Sequence, residues 1–278
     1  MPRQCACETT LPPTLAKGRD SLGPFKAKIL EKGPLGRDMV RFVLHAPEAF
    51  LQPVQPGMFV HIKVPDDASH ILRRPISIMD ADANTGSLTL GIQPKGDGTQ
   101  RICTLEPGDE MEMIAPLGNS FALNGAKTVW ALGGGIGVAP MLFACHKFSE
   151  TAKVTAVLGF RTAEQVYAEG EFAPFADLMI CTDDGCRGFN GTVVDAVRKK
   201  LELPELIIAC GPTPMLKAVQ TFAIERNIPC QLSLEQRMGC GYGACLTCSC
   251  KTKKADGSET FARVCADGPV FDAKAVAL

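Results

Sequence analysis

The sequence has almost no charge imbalance: 29 basic residues stand against 30 acidic ones, a formal net charge of −1. That balance excludes the basic footprint of a nucleic-acid-binding protein and the polybasic patch of a membrane-surface protein. Long apolar runs are missing too. The longest, such as Val129–Leu132 and Leu206–Cys210, are strand-sized and far too short to span a bilayer. No apolar segment separates Arg3, Lys17 and Arg19, so the first 20 residues do not read as a secretory signal, and a cytoplasmic location is expected. No internal repeat is visible. An even cysteine set is also lacking. The chain has 13 cysteines, and an odd count in a reducing compartment argues against a disulfide framework.

What is present fits a folded protein of about two domains, because 46% of the 278 residues are hydrophobic. A chain of this length buries a core without disulfide staples. Residues 1–22 mix Pro, Thr, Lys and Cys without periodicity and are expected to form a mobile tail that includes Cys5 and Cys7. From 23 to 125 the pattern is short β-runs broken by turn signals. The runs are Phe25–Leu30, Met39–Leu44, Met58–Val64, Ile76–Met79, Ser87–Ile92 and Glu110–Ile114. Six short strands at this spacing predict a small closed barrel or sandwich. Between 126 and 229 strands alternate with helices. Strands are expected at Thr128–Leu132, Val154–Phe160, Leu178–Thr182 and Glu205–Ala209, and helices up to about Phe148, over Val193–Leu201 and over Pro214–Arg226. This rhythm predicts a doubly wound parallel α/β sheet. From 230 to 278 the chain is Cys-rich and loop-like, as a small cofactor-holding module would be.

Five of the 13 cysteines fall between Cys240 and Cys265. Cys240-x4-Cys245-x2-Cys248 followed by Cys265 has the plant-type [2Fe–2S] spacing. Three thiolates on one tight loop need glycines that turn sharply and aim N–H groups at sulfur, and Gly239, Gly241 and Gly243 supply them. The competing reading is a four-cysteine zinc site. Zinc favours Cys-x2-Cys pairs in both halves, and Cys265 has no such partner. Cys250 is left outside the ligand set, which is complete without it.

Two upstream segments point to a phosphate-bearing flavin. Arg73-Arg74-Pro75-Ile76-Ser77 opens a strand, where a guanidinium can pair with a pyrophosphate and a serine hydroxyl can meet a flavin edge. Lys95-Gly96-Asp97-Gly98-Thr99 can bring backbone N–H groups to a phosphate. Alone, the first is also a solvated face and the second a plain turn. Gly133-Gly134-Gly135-Ile136-Gly137-Val138-Ala139-Pro140 links a strand to a helix, where a pyrophosphate can bind. It lacks the third glycine of the standard dinucleotide fingerprint, so a bland strand–turn–helix remains open. Cys210-Gly211-Pro212 ends a later strand in the same way. Asp183-Asp184 ends a third strand, where a carboxylate can favour ribose hydroxyls, hence NAD over NADP. A solvated turn explains it equally well.

In this order the motifs resemble the ferredoxin–NADP⁺ reductase superfamily. They include Arg-Pro-Ile-Ser at 74–77, Gly-Asp-Gly-Thr at 96–99, Pro116-Leu117-Gly118-Asn119-Ser120-Phe121, the glycine turn and Cys-Gly-Pro at 210–212. The run Ser233–Cys245 and Val264-Cys265-Ala266-Asp267-Gly268-Pro269-Val270-Phe271 are similar to one branch, the electron-transfer subunits of NAD-dependent (type 1B) dihydroorotate dehydrogenases. The resemblance runs from about residue 23 to 272. It implies FAD in the barrel, NAD as substrate at the α/β domain and a [2Fe–2S] cluster at the C-terminus. Arg74, Pro75, Ile76 and Ser77 would contact the flavin, with Gly91, Ile92 and Gln93 on the next strand and Gly98 and Thr99 at the pyrophosphate. Gly134, Gly135, Gly137, Pro140, Cys210 and Gly211 would serve the nicotinamide nucleotide, with Cys210 either near the ring or a packing thiol. No acid–base residue is required for hydride transfer. The implied partner is a catalytic subunit containing FMN, in a heterotetramer of two of each. Two rivals stand beside this reading. One is a reductase subunit of another NAD(P)H-linked complex, of the ferredoxin or hydrogenase type; the other is a non-enzymatic zinc-binding interaction module.

Overall fold

The computed structural model describes residues 23–65, 69–254 and 256–278. The tail expected over 1–22, with Cys5 and Cys7, lies outside them.

Six strands close into an antiparallel barrel: β1 (Phe25–Pro34), β2 (Val40–His45), β3 (Phe59–Ile62), β4 (Arg74–Asp82), β5 (Ser87–Ile92) and β6 (Glu110–Leu117), in the order β1-β2-β5-β4-β3-β6. Each of the six expected β-runs overlaps one of them. The period-2 signal is plainest in β6, where Met111, Met113, Ala115 and Leu117 are buried and the residues between them are not. β3 departs from that alternation: all four of its residues are buried. Val60 and Ile62 belong to the barrel core, while Phe59 packs with Cys248, Val264 and Cys265 outside it. One strand is therefore covered on both faces, inside by the barrel and outside by the C-terminal segment.

Two short helices interrupt the barrel, α1 (Glu48–Leu51) and α2 (Asp97–Ile102). The second begins at Gly96–Thr99, where the alternative to a phosphate cradle is a plain turn. The Thr99 hydroxyl donates to the Gly96 carbonyl (2.9 Å) and accepts from the Gly96 N–H (3.1 Å), which starts a helix despite the glycines.

The second layer system is a seven-stranded sheet. β7 (Thr128–Gly134), β8 (Lys153–Phe160), β9 (Asp177–Thr182), β10 (Phe189–Asn190), β11 (Leu206–Cys210) and β12 (Cys230–Ser233) are parallel. Helices cover both faces. Val129 and Ala131 of β7 face the cluster that holds α3 (Val138–Ser149), joined by Phe172 of the short α4 (Glu169–Phe172). Trp130 and Leu132 face α5 (Val193–Arg198) and α6 (Thr213–Glu225). Coverage on both sides explains why β11 is buried at all five positions and reads as a continuous apolar run.

The sheet does not stop at residue 229, the expected edge of the nucleotide domain. β12 extends it, and the chain then forms a hairpin of β13 (Ser249–Lys253) and β14 (Glu259–Arg263). It returns as β15 (Val270–Asp272), antiparallel to β12. The C-terminal segment is thus more regular than its loop-like composition predicts. Asn119 fastens it to the barrel: its amide donates to the Val270 carbonyl (2.8 Å) and accepts from the Val270 N–H (2.9 Å). At the neighbouring Gly118 (φ +79), a Cβ would lie 2.4 Å from Pro269. The barrel and the sheet are tied by His146–Asp80 (2.9 Å) and Arg41–Glu171 (2.9 Å).

Candidate functional site

The strand order β10-β9-β8-β7-β11-β12 reverses direction between β7 and β11. Ligands of open α/β sheets bind at such a switch point, beyond the carboxyl ends of the strands. Here the two glycine turns meet. A Cβ on Gly137 would lie 2.4 Å from the Cys210 carbonyl oxygen, and one on Gly134 would lie 2.4 Å from the sulfur of Met215. A Cβ on Gly211 would crowd the same sulfur at 2.8 Å. The glycines let two loops close on each other and leave an open cleft above.

That cleft has a volume of about 810 Å³ and is lined by Gly134, Gly135 and Ile136 from one turn and Pro212, Pro214 and Met215 from the other. Arg161 and Asp183, at the ends of β8 and β9, reach it as well. Gly137, Pro140, Cys210 and Gly211 lie beneath it and do not line it. The Cys210 thiol is buried, and burial pushes it up to about 12. Tyr167, which no motif flags, holds the glycine turn in place. Its hydroxyl donates to the Gly135 carbonyl at 3.0 Å from a buried position.

A second cavity, of about 710 Å³, opens between the barrel and the C-terminal segment. Arg74, Pro75, Ile76 and Ser77 line it, with Gln93, Gly98 and Thr99. The arginine segment and the glycine segment come together as the chemistry of a diphosphate requires: a Cβ on Gly98 would lie 2.6 Å from Nε of Arg74. Gly91 and Ile92 do not line the cavity, and the Ile92 side chain points into the barrel core. The run that begins at Ser233, singled out for its resemblance but given no role at the flavin, completes the far wall: Ser233, Leu234, Glu235, Gln236, Arg237 and Met238. Glu235 is reached by solvent through the cavity mouth, yet the protein around it raises its carboxyl above the ordinary range, against the opposing pull of Lys95. Gln93, Lys95 and Ile136 line both cavities, so the two are neighbours.

The far wall leads directly into the cysteine loop. The four sulfurs come in two pairs. Cys248 and Cys265 are buried, with sulfurs 3.2 Å apart. Cys240 is half-buried and Cys245 exposed, and the Cys240 N–H donates to the Cys245 sulfur at 3.3 Å. The Ala244 N–H donates to the Cys240 sulfur (3.2 Å), and the Cys265 N–H to the Cys248 sulfur (3.4 Å). Hydrogen bonds from Thr247 first, then from the Cys240 N–H, bring the Cys245 thiol down to about 6. Burial first, and then Cys248, push Cys265 up to about 12. Arg263 braces the loop. Its guanidinium holds Asp267 by two bonds (3.0 and 2.9 Å) and donates to the Gly243 carbonyl (2.9 Å).

Among the described residues, no three His, Cys, Asp or Glu side chains converge as one metal ion would need. Two pairs of sulfurs with N–H donors on them fit a two-iron cluster, in which each iron takes two cysteines, better than a single zinc. Cys250 sits on β13 opposite Ala262 and packs against the core.

Residues 235–277 match the family described as the iron-sulfur cluster binding domain of dihydroorotate dehydrogenase B. The chain is 42% identical over 231 residues to the dihydroorotate dehydrogenase B (NAD(+)) electron transfer subunit of Bacillus caldolyticus, covering 81% of this chain and 87% of that one. It is 35% identical over 261 residues to the Lysinibacillus sphaericus protein of the same name, covering 91% and 98%. Among solved structures, an NADH-dependent reduced ferredoxin–NADP oxidoreductase studied for flavin-based electron bifurcation aligns with a TM-score of 0.80. It is 28% identical and covers 90% of this chain and 89% of that one.

Proposed function

The chain belongs to the family of dihydroorotate dehydrogenase B electron transfer subunits, and from that premise we propose how its residues divide the work of an NAD-linked oxidoreductase. It carries electrons from a dihydroorotate-oxidising partner through a [2Fe–2S] cluster and FAD to NAD⁺, a step of pyrimidine biosynthesis. The flavin, when bound, exchanges a hydride with nicotinamide and single electrons with the cluster, which moves one electron at a time.

The observation that carries this reading is the order of the sites. The cleft over the glycine turns, the cavity on the barrel and the cysteine loop adjoin one another in that sequence, with Gln93, Lys95 and Ile136 shared at the first junction and Met238 close to Cys240 at the second. The barrel (23–125) holds FAD. Arg74 neutralises the diphosphate beside the close backbone approach at Gly98 and Thr99, and Pro75, Ile76, Ser77 and Gln93 seat the ring system. Gly91 and Ile92 serve by shaping the strand that delivers Gln93. The α/β domain (126–229) admits NAD over Gly134 and Gly135, with Gly137, Pro140, Cys210 and Gly211 setting the floor. The final segment (230–278) holds the cluster on Cys240, Cys245, Cys248 and Cys265. Ser233, from that same segment, closes the inner end of the flavin cavity, and Glu235 stands at its mouth.

The partner is a catalytic subunit containing FMN, joined in an assembly of two of each. Tyr242 and Leu246 are large apolar side chains left exposed beside the outer cysteines, which supports docking there. Cytoplasmic work agrees with cysteine thiolates that must stay reduced. Among the described residues no helix is long and apolar enough to cross a membrane.

The 28% likeness to the ferredoxin–NADP oxidoreductase favours one second reading, the same chemistry with another partner. Co-expression with a cognate FMN subunit decides between them. The account expects co-purification, equal amounts of the two chains by native mass, and NADH formation when dihydroorotate is added. A mixture that dihydroorotate leaves oxidised, while reduced ferredoxin reduces it, would favour the second reading.

A further inference from the structure

Among the described residues, the buried side-chain nitrogen and oxygen atoms without a hydrogen-bond partner are Nδ1 and Nε2 of one residue, His61. Its side chain is 1% exposed. Buried polar atoms are nearly always paired, so an orphaned ring calls for a reason. Its place in the fold supplies one. On β3, Val60 and Ile62 point into the barrel core, so His61 points outward, next to Pro75 on β4 and Ile114 on β6. Pro75 belongs to the wall of the flavin cavity.

Outward of the barrel lies the cysteine loop. A Cβ on Gly241 would come within 2.4 Å of His61 Nδ1, 2.9 Å of Cε1 and 3.0 Å of Cγ. Gly241 has φ +82, so glycine is required there both by the backbone and by the ring. Backbone acceptors of Arg73 and Cys240 flank the imidazole from the barrel side and the loop side, neither in hydrogen-bonding geometry with it. In its neutral form an imidazole has one N–H to give, on whichever nitrogen its surroundings select. The nitrogen nearest the loop is Nδ1.

We propose that His61 is a positioning residue for the iron–sulfur centre, its Nδ1–H donating into the sulfur-rich loop between Cys240 and Cys245 when the cluster is held, and so favouring the reduced cluster. The physical reason is general: N–H donors toward cluster sulfurs stabilise the extra negative charge of the reduced state and raise its potential. Because the same strand borders the flavin cavity, His61 also ties the register of the loop to that of the barrel. The proposal rests on the reading that Cys240, Cys245, Cys248 and Cys265 carry the cluster.

The test is an EPR-monitored redox titration of the FAD-loaded full chain as wild type, His61→Phe, His61→Asn and His61→Gln, with FAD content measured alongside. The Asn amide nitrogen stands near the place of Nδ1, the Gln nitrogen near that of Nε2. At the wild-type midpoint, His61→Phe and His61→Gln should lower the ratio of reduced to oxidised cluster at least about threefold, which is ~28 mV for a one-electron couple. His61→Asn should stay at the wild-type ratio, and all four proteins should hold FAD. A wild-type ratio in His61→Phe overturns the proposal and leaves the ring as a space-filler. If His61→Phe fails to bind FAD, the two amides decide, and equal ratios in them overturn it. A wild-type chain that shows no cluster signal overturns this proposal together with the cluster assignment; a normal wild-type signal with no shift in the variants sinks this proposal alone.

Discussion

The two cysteine pairs differ in almost every physical respect. Cys248 and Cys265 are each 2% exposed and sit in the same apolar cluster as Phe59, Val264 and Phe271. Cys240 and Cys245 lie at the surface, on a loop shaped by Gly241 and Gly243 at φ +82 and +92. In the inner pair a thiol is forced toward its neutral form, and in the outer pair a thiolate is stabilised by Thr247 and a backbone N–H. The inner pair is therefore part of the fold, and the outer pair is presented by it. A relay needs this asymmetry: one side fixed relative to the flavin, the other within reach of a partner.

Substitution of the cysteines should break the comparison most visibly. Cys265→Ser or Cys248→Ser should abolish the cluster and also destabilise the iron-free chain by about 1–3 kcal/mol, because a hydroxyl is left in an apolar core. Cys245→Ser should abolish the cluster signal while leaving FAD bound, with iron-free stability within about 0.5 kcal/mol of wild type. Iron analysis and denaturant unfolding check both. Equal stability losses at the two positions would erase the distinction.

Next in size is the brace. Arg263→Gln removes the two-point bond to Asp267 and the bond to the Gly243 carbonyl, and should cost about 1–2 kcal/mol in this half-buried setting. Cluster loss on dilution should speed up accordingly, followed by the decay of visible absorbance. Smaller again is a glycine pair with matched backbone. Gly241 and Gly257 both have φ +82, but only Gly241 faces a ring, and a Cβ at Gly257 meets nothing within 4 Å. Gly257→Ala should cost about 1–2 kcal/mol from left-handed strain alone, and Gly241→Ala should cost more. A smaller loss at Gly241 than at Gly257 would mean that the loop moves freely off His61.

The mildest probe is pH. In iron-free protein, alkylation of Cys245 should rise with a midpoint near its value of about 6, because the thiolate forms as pH passes upward through it. Cys265, raised to about 12, should stay unlabelled through neutral pH. Mass-mapped labelling between pH 5 and 9 reads both. Labelling of Cys265 at pH 7 as fast as that of Cys245 would contradict the burial difference.

Much of this arrangement was legible in the sequence. Short β-runs broken by turn signals marked the barrel strands, and strand–helix alternation marked the parallel sheet. The cysteine spacing marked the loop that carries the two sulfur pairs, because a tight loop imposes it. What escaped has physical reasons. β12 and β15 are four and three residues long and pair across a separation that no local pattern records. The helix at Asp97–Ile102 hides behind two glycines and is started by a side-chain bond from Thr99. Tyr167 and His61 carry no motif, because each acts through a contact with a distant segment. Gly91 and Ile92, placed at the flavin by resemblance, line no part of the cavity on the barrel, since strand alternation turns the Ile92 side chain into the barrel core.

The central claim is that this single chain joins nicotinamide chemistry to a two-iron cluster through a flavin. Anaerobic titration of the purified chain with NADH, followed by absorbance and EPR together with iron, sulfide and FAD analysis, tests it most directly. The account predicts about two irons, two sulfides and one FAD per chain, bleaching of the flavin bands and a reduced-cluster EPR signal. A colourless protein holding stoichiometric zinc, or a flavin that NADH reduces with no cluster signal after it, would contradict it.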